Sequence, residues 1–522
     1  MIVELRLDRQ RPRRWIRQLI NSLEAENHTV RLVWVDTDTQ RPAGLDALLE
    51  LERMLLRRGR RNGADRDADL LATQHSDTEP AELIIDFTTT PRADTAAARY
   101  YLRPLYNGAA GEDAALAAIL AGDLPAIAIR DEISGAVLRA GQPSSEVADG
   151  LGGALDSVMF RTGTLLRAVI QSGAQPTTLP PVSAVAGAPN APAGFVLRGL
   201  AKSIALRIYR LCCYSPHWRI GWRYTDDAGI WASGDLSGPE WHSLPSPGHR
   251  FFADPFPVTW KGRTFVFFED LDHRVGKGTI SAIEFGAAGP IGPVMPVLEE
   301  PWHLSYPFLI VHNDELWMIP ESSAQREVNI YRCVSFPDRW ERHATLLSGV
   351  EFADATIVRH EGRTYMFGSS RDGGGGYSDT LSIYHAPDLF GAWTPHERNP
   401  VLLDRASARP AGYFVHNVGR LWRPVQDCTN AYGGALGLAE VTALSPSTFA
   451  QTVHHNIGPG PRWPGRKLHT LNRCGRLELI DGTSIQPKLA LLRREHPALE
   501  PEKPVSAVVA AAAPAASPPT NR

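Results

Sequence analysis

Between about residues 251 and 482 the chain repeats one pattern five times: an apolar run, a two-residue turn, a second apolar run and then a polar residue. The turns read Lys261-Gly262, Asn313-Asp314, Glu361-Gly362, Val418-Gly419 and Cys474-Gly475. Gly or Asp at such a turn tolerates positive φ, and β-branched and aromatic residues dominate the flanks, so each copy predicts a β-hairpin. A third strand follows in most copies, as in Val328-Asn329-Ile330-Tyr331-Arg332 and Leu381-Ser382-Ile383-Tyr384-His385. Several strands per copy at a period of about 50 residues fit the blades of an all-β five-bladed propeller. The fifth copy is short of strands. The strand-like Trp218–Tyr224, just ahead of the first copy, is therefore expected to close the ring by pairing with the last blade, which removes exposed edges.

A propeller brings distant residues together, because the first strand of every blade lines the axis. Aligning the turns makes Asp254, Tyr306, Asp354, Ala411 and Lys467 equivalent, at spacings of 52, 48, 57 and 56 residues. Arg409 and His469 lie beside these positions. The ends of the second strands contribute Glu269, Glu321, Ser369, Gln426 and Gly482, with Asp427 next to Gln426. Carboxylates, a guanidinium and an imidazole are thus expected around one tunnel mouth. Two carboxylates flanking a glycosidic bond supply an acid and a base or nucleophile, and a third carboxylate can raise the acid's pKa by like-charge repulsion. This pattern assigns Asp254 as base or nucleophile, Glu321 as acid and Asp354 as modulator. Glu269, Tyr306, Arg409, Arg423, Gln426, Asp427 and His469 are the candidate substrate-binding residues. Plainer roles compete: an Asp before a strand caps turns, Glu269 and Glu321 suit a solvated blade edge, and Arg409 and Arg423 either bind an anionic substrate or only neutralise the acids.

Residues 1–173 alternate strand-like and helix-like segments, with strands at 2–7, 30–35, 83–87 and 126–129 and helices at 13–26 and 113–120. The alternation predicts an α/β domain with a mostly parallel sheet. No Gly-x-Gly-x-x-Gly follows the first strand and no Walker-type Gly-Lys-Ser/Thr occurs; Gly150-Leu151-Gly152-Gly153 reads as a turn. Residues 174–214 read as an Ala/Pro/Thr/Gly-rich linker and a basic amphipathic helix, 215–485 as the propeller, and 486–522 as a disordered Ala/Pro-rich tail. The basic stretch 195–214 suits packing between domains or peripheral membrane contact. A net charge of -3 excludes a global basic field, so nucleic acid is not an expected partner. Five scattered cysteines without a CxxC pair, and an N-terminus lacking a signal-type apolar core, predict a cytoplasmic protein with no metal and no cofactor. The oligomeric state is left open.

Three resemblances add to this reading. The element order of the first 170 residues resembles a degenerate formyltransferase domain; active members carry an Asn-x-His motif, which is absent here, where the region's histidines are His28 and His75. The resemblance implies a scaffolding or partner-binding role. Phe252-Ala253-Asp254-Pro255 and Phe352-Ala353-Asp354-Ala355 resemble the first-blade base and third-blade modulator motifs of glycoside hydrolase family forty-three. Those enzymes take their acid from a later Glu, where this chain has Gln426-Asp427. Ser305-Tyr306-Pro307-Phe308, Ile319-Pro320-Glu321-Ser322, Ser407-Ala408-Arg409-Pro410-Ala411-Gly412 and Arg423-Pro424-Val425-Gln426-Asp427-Cys428 resemble the propeller domain at the N-terminus of glucosamine inositolphosphorylceramide transferases. That resemblance implies a sugar or glycoconjugate partner. In those proteins the recognised glycosyltransferase domain is a separate, C-terminal one.

Overall fold

A computed structural model describes residues 1–37, 44–72, 79–91, 98–173, 191–371 and 374–489. The first part is an α/β domain. Its sheet uses β1 (Ile2–Asp8), β2 (Thr29–Val35), β3 (Leu83–Asp86), β4 (Tyr100–Tyr106), β5 (Ala109–Ala110), β6 (Ile127–Asp131) and β7 (Val137–Gly141). The order is β2-β1-β3-β4-β6-β7, with β2, β1, β3 and β4 parallel and β6 and β7 antiparallel. Helices α1 (Arg14–Ala25), α2 (Leu45–Leu55), α3 (Glu112–Ala121) and α4 (Gly150–Ser172) share one apolar core with this sheet. The Gly150–Gly153 stretch is the first turn of α4 rather than a free turn. Leu151 and Gly152 donate their N–H groups to the Glu52 carboxylate at 2.9 and 2.8 Å, which satisfies donors that a helix start leaves open. Gly150, at φ 71°, leaves room for that carboxylate, since a Cβ would stand 2.7 Å from it.

Helix α5 (Pro192–Cys212) runs into β8 (Cys213–Tyr214), which pairs with β30 (Gln486–Pro487). The expected tail thus begins with paired backbone, and only residues 490–522 of it lie outside the described residues, as does 174–190 of the expected linker.

The propeller follows. Blade 1 is β11 (Arg250–Trp260), β12 (Arg263–Asp272), β13 (Lys277–Gly286) and β14 (Gly289–Leu298). Blade 2 is β15 (Ser305–His312), β16 (Glu315–Glu321), β17 (Glu327–Ser335) and β18 (Arg339–Ser348). Blade 3 is β19 (Glu351–His360), β20 (Arg363–Arg371) and β21 (Thr380–Ala386), edged by β22 (Thr394–Pro395) and β23 (Leu402–Leu403). Blade 4 is β24 (Val415–Asn417), β25 (Arg420–Asp427), β26 (Ala435–Leu444) and β27 (Phe449–Ile457). Blade 5 joins β28 (Leu471–Cys474) and β29 (Leu477–Thr483) to β9 (Trp218–Tyr224) and β10 (His242–Ser243). The segment before the first copy thus closes the ring, with Trp218 to Tyr224 pairing along Thr483 to Leu477.

Four of the five hairpin turns fall where the repeat puts them. In blade 5, Cys474 pairs with Leu477, so the turn is Gly475-Arg476. The fifth copy's alignment therefore moves by one residue, and Leu468 and Thr483 replace Lys467 and Gly482 as the equivalents.

The α/β domain is fastened to blades 3 and 4 by buried charge. Arg161 of α4 and Asp379 are 0% and 1% exposed and meet at 2.6 Å. Arg405 pairs with Asp123 at 2.6 Å, and Gln142 donates its N–H to the Leu403 carbonyl at 2.8 Å while accepting from the Arg405 N–H at 3.0 Å. These bonds hold the start of the segment that leads to Arg409.

Candidate functional site

The first strands of blades 1, 2 and 3 carry the same β-bulge, with register shifts between Ala253 and Phe256, Ser305 and Phe308, and Ala353 and Thr356. The bulged residues Asp254, Tyr306 and Asp354 all have positive φ, at 51°, 42° and 58°. A side chain in that conformation costs on the order of 1–2 kcal/mol. Cross-blade hydrogen bonds offset part of it. The N–H of Asp254 donates to Asp481 at 3.0 Å, and the N–H of Tyr306 donates to Asp254 at 3.3 Å. Each carboxylate thus takes up the backbone donor that the next blade's bulge frees.

Asp254 also accepts from the Thr470 hydroxyl at 2.9 Å and faces Nε2 of His469 at 3.8 Å. His469 Nδ1 is 2.7 Å from Asp481, which accepts further from the N–H groups of His469 and Thr470. The Trp218 ring stacks on the imidazole with centroids 3.8 Å apart, so the closing strand supplies one wall. Burial pushes Asp254 up to about 6; the His469 cation pulls it down, and Asp481 and Asp354 push it up. Burial works against the charge of His469, but Asp481 and Asp254 outweigh it and raise the imidazole above its ordinary value. Among the described residues, Asp254, His469 and Asp481 are the group whose donor atoms, within 4.8 Å of one another, could hold a cation. Here Nδ1 of His469 is hydrogen-bonded to Asp481 and Nε2 faces Asp254 at ion-pair distance, so the three form a carboxylate–imidazole–carboxylate relay.

Asp354 receives Nε of Arg409 at 2.6 Å, and burial still lifts its carboxyl above the usual range. Gln426 donates to the Pro410 carbonyl at 2.9 Å and lies 3.5 Å from Asp354. Glu269 is 7% exposed, and burial, then the charges of Asp254, Glu321 and Asp481, push it well above the carboxylate range. His303 stands 3.4 Å from it. Glu321 is half-buried, accepts from the Ser305 hydroxyl at 3.1 Å and the Ser323 N–H at 2.9 Å, and is close enough to act on Glu269, Asp354 and His303.

The axis therefore gathers Asp254, Glu269, Glu321, Asp354, Arg409, Gln426 and His469. Three other candidates stand differently. Tyr306 offers its N–H, while its ring is packed on Phe256 and its hydroxyl bonds Thr356 at 2.9 Å. Arg423 is 1% exposed and donates to the carbonyls of Ser407 and Ala408, both at 2.7 Å, so it braces from below the segment that carries Arg409. Asp427 alternates to the other face of β25 and bonds the Thr429 N–H and the Asn456 side chain. Asp481 and Tyr432 belong to the site without having been singled out in the sequence. Asp481 is hidden by the one-residue slip in the fifth copy. Tyr432 stands in the loop between β25 and β26, under the Arg409 cation at 4.7 Å and edge-on to His469, and no strand pattern marks it.

Residues 241–477 match the family model described as "Glucosamine inositolphosphorylceramide transferase 1, N-terminal". The chain is similar to "Glucosamine inositolphosphorylceramide transferase 1" of Arabidopsis thaliana, 34% identical over 214 residues, which are 40% of this chain and 27% of that one. The protein of the same name from Oryza sativa subsp. japonica is 30% identical over 232 residues, 43% of this chain and 31% of its own. The chain thus spans less than a third of the length of these relatives. Among solved structures, a family 117 glycoside hydrolase produced by the marine bacterium Zobellia galactanivorans aligns over 50% of this chain and 90% of its own, at 10% identity and a TM-score of 0.33, too low to carry an argument.

Proposed function

From a propeller of the glucosamine inositolphosphorylceramide transferase N-terminal type, we propose that this protein acts on a glycosidic bond of a glycan or glycoconjugate, by hydrolysis or glycosyl transfer. The observation that carries the reading is a pair of buried carboxyls whose surroundings give them opposite tasks. Asp254, with a hydroxyl, an N–H and the His469 cation around it, is ionised near neutral pH. Glu269, buried and then crowded by the charges of Asp254, Glu321, Asp481 and Asp270, holds its proton to higher pH than an ordinary carboxyl. Such divergence assigns a base and an acid. Asp254 takes the proton of an attacking hydroxyl, or itself attacks the anomeric carbon, while Glu269 gives its proton to the departing oxygen. Glu321, more open to solvent, is placed to share the acid's work, and Asp354 with Arg409 sets the local potential. The α/β domain, of formyltransferase-like character in this reading, serves as scaffold. The same reading puts the protein in the cytoplasm, with the support of five thiols that stand unpaired.

A second reading, a glycan-binding or scaffold protein in polysaccharide assembly, draws on the low exposure of Asp254 and Asp354, 6% and 3%. Purified protein is screened against nucleotide sugars and aryl glycosides, with glycan affinity measured in parallel. Asp254→Asn and Glu269→Gln are expected to abolish turnover and keep binding. Unchanged cellular function in both variants would sink the enzyme and favour the scaffold.

A further inference from the structure

Helix α5 is fixed at its start, where Val196 is buried in the α/β core and Phe195 and Leu200 pack against it. Beyond that point it presents apolar side chains to solvent. Leu197, Ile204, Ile208 and Leu211 are 65%, 57%, 57% and 76% exposed. At 100° per residue they fall within a sector of about 60°, and at 1.5 Å per residue they form a stripe about 21 Å long. Helix α2 extends the patch with exposed Leu51, Met54 and Leu55, and Arg207 reaches the Leu55 carbonyl at 3.5 Å.

On α5 the charge has one sign: Arg198, Lys202, Arg207 and Arg210, with no Asp or Glu. At 100° per residue Arg207 lies about 70° from the middle of the stripe and borders it, while Lys202 and Arg210 fall on the opposite face. The loop leaving α2 adds exposed Arg58, Arg60 and Arg61, and the exposed Glu50 of α2 is paired with Arg53. A second copy docked stripe to stripe would bring its own Arg207 and loop arginines near these, which opposes self-association. An apolar stripe bordered by a cation and continued by a basic loop suits the boundary between headgroups and acyl chains of an anionic bilayer.

We propose that α5 and the exposed side of α2 form a docking surface for an anionic membrane, with Leu197, Ile204, Ile208 and Leu211 entering the acyl boundary and Arg207, Arg58, Arg60 and Arg61 meeting lipid phosphates and carboxylates. This holds whether or not the axial site is catalytic.

The test is co-sedimentation of the full chain with vesicles of phosphatidylcholine alone or with phosphatidylserine, at low and high salt. Binding is expected on the anionic vesicles, weakened by salt. Ile204→Ser, Ile208→Ser and Leu211→Ser together should lower partitioning at least about tenfold, and Arg207→Gln and Arg60→Gln by about fivefold per charge, with unchanged circular dichroism. Equal binding by the triple variant overturns the proposal. So does a monomer that ignores anionic vesicles, or a vesicle-indifferent dimer that the triple variant splits, which would assign the patch to a second copy.

Discussion

Nδ1 of His469 lies 2.7 Å from the carboxylate of Asp481, and both side chains are closed to solvent. Because Asp481 also takes three backbone N–H groups, it is the anchor of the relay rather than a spectator. Asp481→Asn leaves a buried imidazolium with only the more distant Asp254 as counter-charge, and breaking such a pair costs roughly 3–5 kcal/mol. Urea unfolding should show that loss, with an unchanged denaturant slope.

The same pair makes stability depend on pH. The folded His469 holds its proton above the ordinary value near 6.5, so the unfolded chain loses that proton first as pH rises. The stabilisation is full below about pH 6.5 and fades as pH passes the folded value. Urea midpoints should fall across that window, and His469→Gln should flatten the decline.

If Asp254 is the base, kcat/KM on a responsive aryl glycoside should fall about tenfold per pH unit below about 6, where the carboxylate takes up its proton. The His469 cation holds that value down. His469→Gln should therefore move the acidic limb to higher pH, and a limb that stays in place would separate Asp254 from the rate.

Arg161 and Asp379 join the two domains in full burial. Asp379→Asn should cost roughly 3–5 kcal/mol, whereas replacing both partners by apolar residues of similar volume should return most of it. Calorimetry on the two variants checks this.

Gly412 has φ 141°, and a Cβ there would stand 2.2 Å from the Leu471 carbonyl oxygen, which is backbone and cannot swing aside. Gly412→Ala should destabilise by roughly 1–3 kcal/mol and loosen the seam between blades 4 and 5, visible as a lower Tm and faster amide exchange in β28.

The hairpins and the closing strand were legible in the sequence because a two-residue turn between alternating apolar runs leaves few other pairings. The acids at Asp254 and Asp354 were legible because two copies share them at one position. The relay was not. Asp481 occupies a blade whose turn slips by one residue, and a one-residue slip reassigns every side chain to the opposite face. The different burial of Glu269 and Glu321 was also hidden, since both end a second strand. Asp427 was drawn in by its neighbour Gln426, although adjacent strand residues face opposite ways.

Blade 5 takes two strands from before the first copy and two from after the fourth. Asp254 therefore finds Asp481, His469 and Thr470 only when segments 227 residues apart in sequence have met. A chain stalled during synthesis, or clipped open at the ring seam, has every acid of blades 1 to 3 in place and still lacks the groups that bond Asp254. Assembly of the axial cluster is thus a readout of ring completion, imposed by topology alone.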